Sequence, residues 1–122
     1  MTNHLSESVG IIVPPSNPTL EVEIKSLLGD NPYLYTSRLP VFPNCDLAQR
    51  NTGYLVNYLD TARRFGSLPL TATIVGLTGS NYADGPDADR ARCDAISEEL
   101  NAPFITCSLA ILDLLQSLGF SR

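Results

Sequence analysis

Apolar and polar positions alternate in two distinct ways along this chain. Four short apolar runs, "VGIIVP", the less regular Pro32 to Phe42, "TATIVGL" and "PFITC", are separated by longer stretches of helical period. Strands alternating with helices predict a parallel sheet covered by helices. The first run ends at Pro14-Pro15, which cannot donate to a ladder. Asn17 then predicts a helix cap, with Pro18 at the first helical position and Glu21 and Glu23 near the positive end of the dipole. Leu20, Ile24, Leu27 and Leu28 share one face of that helix, which Gly29 closes.

Thr52 is the expected cap of a second helix whose inner face carries Tyr54, Leu55, Tyr58, Leu59 and Ala62, ending near Gly66. The third apolar run is continuous, as strands buried on both faces are. It leads into the loop "GLTGSNYADG", and a third helix is expected from about Pro86, with Asp87 and Asp89 in its first turn and Cys93, Ile96 and Leu100 inside. Asn101-Ala102-Pro103 breaks it, and Ser108 is the expected cap of a last helix carrying Leu109, Leu112, Leu115 and Leu118. The order βαβαβαβα predicts an α/β fold, a four-stranded doubly wound parallel sheet in the order 2-1-3-4, flavodoxin-like and three-layered. Its crevice would lie at the carboxyl ends of the strands. The loops "VPPSNPTLE" and "GLTGSNYADG" leave the neighbouring first and third strands and should face each other there.

Length and composition narrow the function. The 122 residues are expected to form a single domain, and 43% hydrophobic with 17% charged residues fits a globular protein. No apolar run reaches the ~20 residues that span a bilayer. The start "MTNHLSESVG" does not read as a secretory signal, so a cytoplasmic location is expected. With net charge −5 and one lysine, Lys25, there is no basic stripe for nucleic acid. Cys45, Cys93 and Cys107 are odd in number and lack CxxC spacing, and His4 is the one histidine. These support neither a disulfide framework nor a zinc site, nor a Ser-His-Asp triad. There is no GxGxxG or P-loop either.

What remains is a set of neutral donors at strand ends. Ser16, Asn17, Thr78, Ser80, Asn81 and Tyr82, with the backbone amides of Gly76 to Ser80, suit a carboxylate or oxyanion. Each has a plainer alternative: Asn17 as a helix cap, Ser80, Asn81 and Asp84 as turn residues, Tyr54 as a packed core ring. Cys93 and Cys107 read as small core hydrophobes, and Cys45 has no base or cation beside it in sequence to lower its pKa.

The segments "VGIIVPPSNPTLEVE", "NTGY", "GLTGSNYADG" and "APFITCSLAILDLLQSLGFSR" resemble, in order and spacing, the aspartate/glutamate racemase superfamily. The nearest branch is that of arylmalonate decarboxylase and maleate cis-trans isomerase, and the likeness covers Ser8 to Arg122. The resemblance implies the N-terminal half of an enzyme built from two flavodoxin-like halves around one site. Its chemistry is cofactor-free and metal-free, with a cysteine moving a proton beside a carboxylate or adding to a double bond. It also implies pocket roles for Pro14, Pro15, Asn17, Tyr54, Gly76, Thr78, Ser80 and Tyr82. Gly76 occupies the first cysteine position, and Leu77 replaces a threonine donor of the decarboxylases. The second cysteine lies in a half that these residues do not include. Cys107 is a poor substitute acid, because it lacks a partner.

The expected function is therefore decarboxylase- or isomerase-like action on small (di)carboxylates such as malonates or maleate, incomplete in this chain alone. The alternative is a non-catalytic carboxylate-binding or remnant domain. An electron carrier of flavodoxin type has less support, since "PPSNPT" is a poor phosphate turn. Apolar surface left uncovered by the missing half predicts self-association or a complementing second-half chain.

Overall fold

The computed structural model describes residues 7–120, so His4 and Arg122 lie outside the described residues. Strand β1 (Ser8–Val13) is followed by helix α1 (Leu20–Leu28), strand β2 (Tyr33–Arg38), helices α2 (Leu47–Val56) and α3 (Tyr58–Arg63), and strand β3 (Ala72–Val75). A short helix α4 (Gly79–Tyr82), a long helix α5 (Gly85–Leu100), strand β4 (Phe104–Thr106) and helix α6 (Cys107–Ser117) complete the order. The sheet is all parallel with strand order β2-β1-β3-β4, as the alternation of runs predicts.

Ile11, Ile12 and Val13 of β1 are fully buried although successive residues point to opposite faces of the sheet. Both faces are therefore covered, the arrangement that parallel sheets require. On one of them Ile12 and Val75 meet Tyr54, Tyr58 and Ala62 from α2 and α3, Cys93 and Ile96 from α5, and Leu109 from α6. Gly10 in β1 admits the Phe65 ring and Leu70, each of which would lie within 2.9 Å of a Cβ there.

Several expected helix ends fall elsewhere. Asp46, not Thr52, caps α2: its carboxylate accepts from the Gln49 amide at 2.8 Å, and the Gln49 side chain accepts from the Asp46 amide at 3.0 Å. This is a capping box, and it starts the helix five residues before Thr52. The helix also breaks at Asn57, whose side-chain amide donates to the Gly53 carbonyl at 2.8 Å, giving α2 and α3 in place of one helix. Thr106, not Ser108, caps α6, because the extended backbone at the end of β4 aims its hydroxyl at the Leu109 amide.

Helix α1 begins at Leu20, yet Asn17 Oδ1 accepts from the Thr19 and Leu20 amides, each at 3.0 Å. The N-cap position is therefore Thr19, and Pro18 precedes the helix instead of opening it, while Asn17 supplies the side-chain acceptor from two residues further out. The expected inner face of α1 is only half sealed. Leu20 and Ile24 are half-buried, whereas Leu27 and Leu28 are exposed. The cause is position, since α1 packs against β2, the strand at the sheet edge. No helix among the described residues is long and apolar enough to cross a membrane.

Candidate functional site

The turn after β1 is fixed from beneath by β2. The pairing of Val13 with Arg38 puts the Arg38 side chain at the end of β1, where Nη1 donates to the carbonyls of Pro14 (3.2 Å) and Asn17 (3.4 Å). Its Nη2 pairs with Glu21, and Glu21 also accepts from the Thr36 hydroxyl at 2.9 Å. A guanidinium bound to two carbonyls and one carboxylate holds Pro14 to Asn17 in a single shape. Asn17 N–H closes the turn onto the Pro14 carbonyl.

Beside this turn lies an open groove of about 410 Å³. Pro14, Pro15, Ser16 and Asn17 form one wall, and Val41, Phe42, Arg50 and Tyr54 form the other. The Phe42 and Tyr54 rings meet at 5.6 Å in a tilted pair. Gly53 makes this contact possible, since a Cβ there would fall 2.9 Å from the Phe42 ring. Asn17 spends its oxygen on helix amides, so its Nδ2 is the group left to donate to a ligand.

The second loop reaches the first at Gly76. Its N–H donates to the Ile12 carbonyl at 2.7 Å, and a Cβ on Gly76 would fall 1.8 Å from Leu20 Cδ2. Leu20, the first residue of α1, therefore fills the space above Gly76. Beyond it the loop turns inward. Tyr58 is fully buried, and its hydroxyl donates to Asn81 Oδ1 (2.9 Å) and lies 3.1 Å from the Ser80 hydroxyl. Asn81 Nδ2 donates to Ser108 Oγ at 3.1 Å, and Ser108 donates to the Thr78 carbonyl at 3.3 Å.

The expected site residues are thus divided. Pro14, Pro15, Asn17 and Tyr54 share the groove, with Gly76 under Leu20 between the loops. Thr78 is half-buried, and Ser80 is fully buried with its hydroxyl engaged by Tyr58. Tyr82 is exposed and borders a separate, smaller groove with Pro86, Asp89, Leu109 and Leu112. Asp89, expected simply as a first-turn acid, is buried: it accepts from the Thr106 hydroxyl at 2.8 Å and joins α5 to the start of α6.

No cysteine lines the groove beside Pro14. Burial pushes the Cys107 thiol up, and burial together with the Asp89 carboxylate pushes Cys93 up to about 11. Thiols held protonated are poor nucleophiles. Burial likewise raises Tyr58, to about 12. Among the described residues no group of three or more His, Cys, Asp or Glu side chains could hold a metal ion.

No family model matches the sequence, and no curated protein matches it. Solved structures do match. The maleate isomerase Iso from Pseudomonas putida S16 superposes with a TM-score of 0.77 at 22% identity, over 93% of this chain and 50% of that one. A variant of that isomerase with maleate gives a TM-score of 0.78 at 22% identity, over 93% and 49% of the two chains. A doubly substituted arylmalonate decarboxylase in its liganded form gives 0.73 at 24% identity, over 93% and 47%. The chain spans about half the length of these proteins. It has the fold that arylmalonate decarboxylase and maleate isomerase build over half of their length, the branch its motifs resemble.

Proposed function

We propose that this chain binds a small mono- or dicarboxylate, such as a malonate or maleate, in the groove between the Pro14–Asn17 turn and α2. The observation that carries the proposal is the groove itself. A turn locked by Arg38 presents Ser16 and Asn17 opposite Tyr54 and Arg50, at the carboxyl end of β1. Donors at the strand ends of an open α/β sheet are where such folds bind ligands. The similar solved proteins include a maleate isomerase with maleate, which supports the ligand class.

The chemistry proposed for the assembled protein is cofactor-independent decarboxylation or isomerisation. Its reacting thiol would come from a complementing half, because the groove has no cysteine of its own and both Cys93 and Cys107 are held protonated. Thr78 and the amides after Gly76 would then meet the ligand from the second loop. A non-catalytic carboxylate-binding domain is the second reading. The Leu20 side chain over Gly76 favours it, since it closes the position where the resembling family keeps its first cysteine.

Calorimetry of the chain with malonate, maleate and aspartate should detect binding by at least one, without turnover. Binding by none would overturn the proposal, and turnover that survives C107A and C45A would overturn the thiol assignment. We also propose association with a second copy or a complementing half. Ile111, Leu114 and Leu115 of α6 and Leu118 at its C-cap are all exposed, and light scattering should report a mass above 13.2 kDa at micromolar concentration.

A further inference from the structure

We infer that Arg50 is the charge-recognising residue of the groove, the group that makes it select an ionised carboxylate over a neutral isostere. The inference rests on reading the groove as a carboxylate site. Every other arginine among the described residues has its guanidinium engaged. Arg38 pairs with Glu21, Arg63 with Asp60 and Glu99, Arg90 with Asp113, and Arg92 with Asp84. Arg64 donates to the Arg38 carbonyl at 3.0 Å. Arg50 is the one arginine among the described residues whose side chain has neither an acidic partner nor a hydrogen bond, and it lines the groove.

Placement strengthens this. Arg50 and Tyr54 stand one helical turn apart on α2, so the guanidinium and the phenol lie on one face toward the same cavity. The opposite wall offers neutral groups only, Ser16 and the Asn17 amide. The chain as a whole carries a net charge of −5, and within it Arg50 is a cation with no acidic side chain in ion-pair contact among the described residues. A guanidinium presents a planar fork that matches both oxygens of a carboxylate and stays charged at any pH at which the protein is folded. The apolar body of the ligand would rest on Val41, Phe42 and the proline pair, while Asn17 Nδ2 reaches its far end.

The test measures maleate, and its neutral diamide, against the wild-type chain, R50Q and R50K by calorimetry at low and high salt. The inference expects maleate to bind the wild type at least tenfold more tightly than it binds R50Q, with R50K between them. It also expects the wild-type affinity to fall with salt and the R50Q affinity to stay nearly flat. Wild-type binding of maleate that R50Q reproduces within twofold overturns the inference and leaves the carboxylate reading standing. Failure of the wild type to bind maleate, malonate and aspartate alike overturns both, and where malonate or aspartate is the one that binds, the same comparison is made with it. Thermal unfolding of R50Q is the control for folding, and the exposed position of Arg50 predicts no change.

Discussion

Replacing Tyr58 by alanine lowers the unfolding free energy by about 3–5 kcal/mol, the range for deleting a large buried aromatic side chain. The residue is fully buried, its ring lies 6.2 Å from that of Phe104, and its hydroxyl is the hub between Ser80 and Asn81. Two effects combine in the alanine variant. The ring leaves a cavity on the β3 face of the sheet, and two buried polar side chains lose their shared partner. Tyr58→Phe separates them: it keeps the ring, removes the hydroxyl and costs about 1–3 kcal/mol. Urea unfolding followed by circular dichroism measures both. An alanine variant within about 1 kcal/mol of wild type, well inside the ordinary range for a single substitution, would mean that the hub is not what orders the loop.

Stability also falls steeply at alkaline pH. Burial raises Tyr58 from 10.0 to about 12, and burial with the nearby Asp89 raises Cys93 from 9.0 to about 11. Below pH 9 both groups hold their protons in the folded and the unfolded chain, so this contribution to stability is fully present. Between pH 9 and 11 the unfolded chain releases the Cys93 proton while the folded chain keeps it, and Tyr58 behaves likewise between pH 10 and 12. Each group then withdraws about 1.4 kcal/mol per pH unit across its window, about 5 kcal/mol for the pair once both have titrated. Urea midpoints at pH 8, 9.5 and 11 check this, with Cys93→Ala expected to flatten the lower part of the slope. A midpoint constant from pH 8 to 11 would contradict it.

The strands and their order were legible because β1 and β3 are short continuous apolar runs and β2 and β4 are bounded by Pro32, Pro40 and Pro103. The helix ends were less so. Asp46 with Gln49 is itself a start signal, but it follows Pro43 and Asn44, where a turn and a cap share the same residue types. Thr106 and Ser108 are both capping hydroxyls, and only the end of β4 decides between them.

The site divides in the same manner. Pro14, Pro15 and Asn17 were legible because the turn is local. Ser80 and Tyr82 fell away from it because residues after Thr78 enter a helical turn, which rotates successive side chains by about 100° and sends Asn81 in and Tyr82 out. Arg38 depends on the β1–β2 register and Arg50 on the packing of α2 against α4. Neither placement has a signature along the chain itself.

The strand order also sets a timetable for synthesis. β1 occupies an inner place in the sheet, with β2 on one side of it and β3 on the other. As the chain emerges, β2 follows β1 closely, but the other edge of β1 stays open until Val75 has been added. Translation proceeds at ~5–20 residues per second, so for several seconds the segment of Ile11, Ile12 and Val13 is without its β3 partner. That interval, more than any feature of the finished sheet, is when a nascent chain of this kind is most open to pairing with another.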